Sequence, residues 1–181
     1  MKAKLFLVLS IVVMTTMGFE CINDPILVTV NADPISGCVT INPGSGTFNS
    51  STGPINIKSL IPSDYQNKFK KLRVYDVEIK VEHPHPNGTV NGSVFVRFDT
   101  QPEIQVLNYN VDYEDLSGGI SLRNSGGKIT YNAAGFASIV AALSGSTLPT
   151  SAVIRATGTG PTITQNLVLC TKMFLQVDAQ N

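Results

Sequence analysis

The sequence predicts an all-β protein: an antiparallel β-sandwich of seven to nine strands with one short helix around Asn132–Leu143. Three observations point there. Most segments alternate apolar and polar residues with period two, the pattern of a half-buried strand. Clusters of Gly, Pro, Asn and Ser punctuate those segments where turns belong. A single late segment changes to the helical period. Two sheets packed face to face, with the helix as a connection or cap, accommodate this pattern, and an open barrel is the alternative.

Taken in order, Ile26, Val28 and Val30 alternate with Leu27, Thr29 and Asn31, and Val39 and Ile41 follow. A loop from Pro43 to Pro54 separates these from Ile55 and Ile57. A short helix is expected over Ser63 to Lys70, capped by Ser63 or Asp64. From Lys71 to Glu82, Tyr75, Val77, Ile79 and Val81 share one face, and Asp76, Glu78, Lys80 and Glu82 the other. The turn His83-Pro84-His85-Pro86-Asn87-Gly88 ends that strand, and Thr89 to Asp99 returns; the pair is expected to form a hairpin. Glu103 to Glu114 reads as one strand with Tyr109, Val111 and Tyr113 inward. Ile120 to Leu122 and Lys128 to Tyr131 flank Asn124-Ser125-Gly126-Gly127 as a second expected hairpin. Phe136, Ile139, Val140 and Leu143 form the helical stripe, with Asn132 as cap and Gly145 as stop. Ala152, Ile154 and Ala156 mark the penultimate strand, and Leu167 to Val177 the last.

Composition narrows the function classes. The chain has 181 residues, with 13 basic and 13 acidic side chains and no Trp. Asn, Thr, Ser and Gly make up a third of it. Zero net charge without a basic cluster argues against nucleic-acid binding, which requires positive charge to displace counterions. An apolar content of 43% argues against disorder.

The N-terminus places two lysines (Lys2, Lys4) before an apolar stretch from Leu5 to Val13 and small residues up to Gly18. That order predicts a secretory signal peptide over residues 1–20, with a single domain over 21–181. Cys21 lies just beyond. Its position resembles the lipidation site of bacterial lipoproteins, although Glu20 stands where that pattern has a small residue. Of the three cysteines, lipidation of Cys21 would leave Cys38 and Cys170 to pair; Cys21–Cys38 and Cys21–Cys170 are the competing pairings. Three Asn-x-Ser/Thr sequons, at Asn49, Asn87 and Asn91, are read as markers of loops.

This signal with Cys21, the long strand through Val77-Glu78-Ile79-Lys80-Val81, the late helix and the closing strand to Val177 together resemble small exported β-sandwich proteins and lipoproteins of bacterial envelopes of the Bacteroidota type. The resemblance implies an exported, cell-envelope or extracellular location. Membrane contact would then come through a lipid anchor at Cys21.

Candidate sites are few. His83 and His85, with Glu82, could share a metal, but two imidazoles at i, i+2 in a proline-rich turn are below the usual ligand count; a solvated turn is the expectation, with no metal and no cofactor. Asn108, Asn110, Asp112, Glu114 and Asp115 superficially match a calcium loop, yet they alternate along a strand with Tyr113 where Gly belongs. Asp112 and Glu114 could form a carboxylate pair for glycoside hydrolysis, but nothing singles them out. No nucleophile elbow or phosphate loop is present. Tyr65, Tyr75, Tyr109, Tyr113 and Tyr131 are the aromatic candidates for a sugar platform, and alternation assigns Tyr75, Tyr109 and Tyr113 to the core. The expectation is therefore a non-enzymatic structural or interaction subunit whose partners are other envelope proteins or a surface polymer. Self-association through an edge strand or the segment Ile22–Asn31 is one form of it. A carbohydrate- or ligand-binding module is the alternative.

Overall fold

A computed structural model describes residues 27–44, 46–82, 85–144 and 147–180. The predicted signal peptide, Cys21, His83 and Gly145 lie outside these residues. Ten strand segments follow one another: β1 Leu27–Ile41, β2 Thr47–Ser51, β3 Ile55–Asn56, β4 Phe69–Glu82, β5 Thr89–Phe98, β6 Ile104–Asp112, β7 Ile120–Ser121, β8 Ile129–Tyr131, β9 Ser151–Thr159 and β10 Leu167–Gln180. Two α-helices interrupt them, α1 at Tyr113–Ser117 and α2 at Ala133–Leu143.

The strands form two antiparallel sheets. Sheet A runs β1-β10-β4-β7, and sheet B runs β2-β9-β5-β6-β8 with β3 also on β9. The first strand thus pairs with the last, β2 with the penultimate β9, β4 with β7, and β5 with β6. This nested order is that of a jelly roll, an all-β sandwich. The alternating apolar positions explain it. Val77, Ile79 and Val81 of β4 and Leu169, Met173 and Leu175 of β10 face Val94, Val96 and Phe98 of β5 and Ile154 of β9, all buried. Each such side chain contributes about 1.5–3 kcal/mol by leaving water.

Both expected hairpins are corrected. β4 belongs to sheet A and β5 to sheet B, so the chain between them arches from one sheet to the other. The same holds for β7, which pairs with β4, and β8, which pairs with β6. Alternation reveals which face of a strand is buried but not which strand lies beside it, and a Pro- or Gly-rich turn serves an arch as well as a hairpin.

Tyr75 is corrected too. Val74 pairs with Leu175 and Asp76 with Phe174, so Tyr75 is the extra residue of a β-bulge. The bulge shifts the phase of β4: Leu72 and Val77 both point inward, and Tyr75 is 37% exposed against Phe174 and Arg123. The expected helix over Ser63 to Lys70 is a single 3-10 turn, Ser63–Tyr65, because β4 begins at Phe69. β6 ends at Asp112, and Tyr113 opens α1 while remaining buried. Two of the three sequons are not in loops, since Asn49 lies in β2 and Asn91 in β5.

The helix α2 forms as expected. The Asn132 side chain accepts from the Gly135 N–H at 3.0 Å, and Ile139 and Leu143 are buried. Gly135 sets the helix against β6: a Cβ there would lie 1.9 Å from the Gln105 carbonyl oxygen, so no other residue allows this approach. Among the described residues, no helix is long and apolar enough to cross a membrane.

Candidate functional site

Sheet A has a long edge strand, β1, and its two halves differ. Asp33 and Pro34 form a bulge between Ala32, opposite Leu175, and Ile35, opposite Met173. Beyond it, the half from Ile35 to Ile41 is overlain by the β2–β3 region. Ser50 Oγ donates to the Thr40 carbonyl at 3.2 Å, and Thr52 packs against Gly37. Before it, Leu27–Ala32 pairs with β10 on one side and no described strand lies on the other. Leu27 is 68% exposed.

Geometry decides which backbone groups this half leaves open. Cys38 and Cys170 have Cα atoms 4.0 Å apart, the spacing of a non-hydrogen-bonded antiparallel pair. Counting in twos along β10, Gln176, Asp178 and Gln180 also direct their N–H groups away from β1. Accordingly, Gln180 N–H donates to the Lys68 carbonyl on the β4 side. Their partners Asn31, Thr29 and Leu27 therefore point N–H and C=O outward, along the open edge.

Side chains anchor this half to its neighbour. Thr29 Oγ1 donates to Asp178 Oδ1 at 2.7 Å, and Arg73 forms an ion pair with the same carboxylate. The Thr29 hydroxyl, and then the Arg73 guanidinium, hold the Asp178 pKa below the usual carboxylate value. These contacts hold the open half of β1 against β10.

Of the three cysteines, Cys38 and Cys170 form a disulfide across β1 and β10, joining residues 132 apart in sequence. Cys38 is exposed on the outer face of sheet A, whereas Cys170 is 7% exposed. The bond borders a depression of about 360 Å³ lined also by Glu78, Lys80 and Lys172.

The other predicted residues do not assemble. The His85 ring stacks on Tyr113 with centroids 6.2 Å apart, and its Nε2 lies 3.9 Å from Glu114 Oε2. This imidazole is 5% exposed, so it is packed against Tyr113 rather than solvated as expected. Among the described residues no three of His, Cys, Asp and Glu gather as a metal site. Asp112 and Glu114 do not share a strand face: Asp112 accepts from Thr89 at 2.7 Å, while Glu114 stands on α1. Asp115 pairs with Lys128. Tyr109 and Tyr113 are buried, and burial raises both phenol pKa values. Tyr131 is exposed at the edge of α2, against Phe136.

Two further surfaces were not foreseen. The outer face of sheet B carries a groove of about 460 Å³ lined by Asn91, Ser93, Asn108, Asn110, Thr130 and Thr159. There Asn108 Oδ1 accepts from Ser93 at 2.7 Å and Gln105 at 2.6 Å. An apolar cleft of about 620 Å³ lies between α2 and the β5–β6 turn, bordered by Asp99. Asp99 has a φ of 45° and accepts from the backbone and hydroxyls of both Thr150 and Ser151. Chiefly the Thr150 hydroxyl lowers its pKa. Its oxygens are engaged in fastening β5 to β9. The Asp-Pro pair at 33–34, inside an alternating run, is the sequence signal for the divided edge strand; Asp178 and Asp99 carry no such signal, because their partners lie far away in sequence.

No protein-family model matches the chain, and no curated protein matches it. Among solved structures, it is similar to the decameric BFDV capsid protein at 12% identity, over 84% of this chain and 99% of that one, with a TM-score of 0.40. It is also similar to a chain of desmodium yellow mottle tymovirus, at 11% identity over 88% and 90%, TM-score 0.31. A chain of infectious bursal disease virus, Gx strain, gives 10% identity over 88% and 43%, TM-score 0.20.

Proposed function

We propose that this protein is a non-enzymatic structural subunit that associates with further copies of itself through the open edge of sheet A. One observation carries the reading. Leu27, Thr29 and Asn31 direct backbone groups outward from an edge strand that Thr29–Asp178 holds in place, and no described strand pairs with them there. An open edge of this kind is a template for strand addition, and proteins that must stay monomeric blunt it. Here the bulge and the overlying β2–β3 region protect only the second half. The export signal read in residues 1–20 and the disulfide support a site of action outside a reducing compartment.

Light scattering coupled to size exclusion tests this. The wild-type chain is expected to gain mass with concentration. Asn31→Pro removes an N–H that β10 does not use, so the fold should persist while association is lost. Thr29→Lys should act likewise by charging the edge. A wild-type chain that stays monomeric at every concentration contradicts the proposal. The amide- and hydroxyl-lined groove on sheet B favours a second reading, a module for neutral polyols or glycans; a blank glycan array removes it.

A further inference from the structure

We propose that the outer face of sheet B binds an extended, neutral oligosaccharide chain laid across β9, β5, β6 and β8. The site rests on the glycan-module reading above and is independent of the sheet A edge.

The strand register sets outward side chains in line across the sheet. Thr47 lies opposite Thr159, Thr159 opposite Asn91, and Asn91 opposite Asn110. The next outward row is Asn49, Thr157, Ser93, Asn108 and Thr130. Both rows consist of hydroxyls and carboxamides, without a charged or large apolar side chain. The low charge of the composition is not spread evenly. The outer face of sheet A carries Arg73, Glu78, Lys80 and Lys172.

The two rows differ in what they leave for a ligand. The second is locked within the fold. Ser93 Oγ donates to Asn108 Oδ1 at 2.7 Å, and Gln105 Nε2 donates to Ser93 Oγ at 3.2 Å and to Asn108 Oδ1 at 2.6 Å. Arg155 donates to Asn49 Oδ1 at 3.1 Å. The first row is not locked in this way. Among the described residues, no hydrogen bond engages the exposed side chains of Asn91, Asn110 and Thr159, nor that of Thr130 beside Asn108. A carboxamide and a hydroxyl each both donate and accept, as sugar hydroxyls do. All four line the groove of about 460 Å³.

The charges bordering this groove are already engaged. Lys128 pairs with Asp115, and Asp112 accepts from Thr89. An anionic polymer calls for a cluster of basic side chains, and these rows hold none. They hold no aromatic ring either, so a sugar meets them through its hydroxyls and not by stacking. Hydrogen bonds exchanged with water contribute little each, so binding has to be gathered over several sugar units. Neighbouring strands lie about 4.8 Å apart, close to the length of one pyranose unit, so the four strands of the groove span about 14 Å and take about three to four units.

The test titrates the full chain by calorimetry with unbranched neutral oligosaccharides of glucose, mannose, galactose and N-acetylglucosamine, from one unit to six. Sorbitol and an oligogalacturonate are the comparison ligands. At least one neutral series is expected to bind with an affinity that climbs up to about four units and then levels off, while sorbitol and the oligogalacturonate do not bind. Asn91→Leu and Thr159→Val should each weaken binding about two- to tenfold, the loss of one neutral hydrogen bond, with the thermal midpoint unchanged. Preference for the oligogalacturonate, sorbitol binding as well as a tetrasaccharide, or neutral binding that both variants leave unchanged overturns this site. In the last case the glycan-module reading stands and only its placement on sheet B falls; if no neutral series binds, both fall.

Discussion

Thr29 and Asp178 face each other across β1 and β10, with the threonine hydroxyl 2.7 Å from the carboxylate. Through this contact the open half of the edge strand depends on an ionised group. The Asp178 pKa is lowered in the fold. Its contribution is therefore complete above the ordinary carboxylate pKa, about 4, and is lost as pH falls through the lowered folded value. Urea midpoints measured from pH 6 down to pH 2 should decline less steeply in Asp178→Asn than in the wild type.

Removing the cross-strand disulfide should weaken the fold without redirecting it, since β1 and β10 pair over their whole lengths. The sequence separation of 132 gives about 5 kcal/mol in the chain-entropy model. Denaturant unfolding of Cys38→Ala/Cys170→Ala against the wild type measures that loss.

Gly92 should not tolerate a side chain. An added Cβ would meet the Thr157 carbonyl oxygen at 2.1 Å and the Tyr109 hydroxyl at 2.3 Å. Tyr109 crosses the sheet there to donate to that same carbonyl at 2.8 Å. Gly92→Ala is expected to cost about 1–3 kcal/mol, as overpacking does. Gly53→Ala, where nothing lies within 4 Å, should be neutral or slightly stabilising. Thermal melts of the two variants make the comparison.

Loss of the α2 cap should be felt at the sheet B end of the core, because Ile139 and Leu143 depend on that helix. Asn132→Ala should cost about 0.5–2 kcal/mol, measurable by urea unfolding.

The contrast between α2 and β4 shows what was legible in the sequence. The cap and stripe of α2 are local, and both could be read within a dozen residues. The inward faces of β5, β9 and β10 were equally legible, because burial follows period two. Sheet membership was not, since β1 and its partner β10 are far apart in sequence and no local pattern links them. Tyr75 was misplaced for a related reason: a bulge is a property of two paired strands, and the Val74–Leu175 and Asp76–Phe174 pairs that define it join positions about a hundred apart. The open edge was legible in part. Ile22–Asn31 reads as a strand with adhesive potential, but only the register with β10 shows that Thr29 and Asn31 point outward. The buried imidazole of His85 was missed because its partner Tyr113 belongs to a helix that alternation had read as strand.

Hydrogen exchange of the Leu27–Asn31 segment, followed by mass spectrometry across a range of protein concentrations, tests the central claim most directly. The Thr29 and Asn31 amides have no partner in β10, so a single copy should exchange them quickly. Association through this edge predicts that their protection rises with concentration, while that of β9 stays constant. Protection in Leu27–Asn31 that is low and identical at every concentration would contradict it.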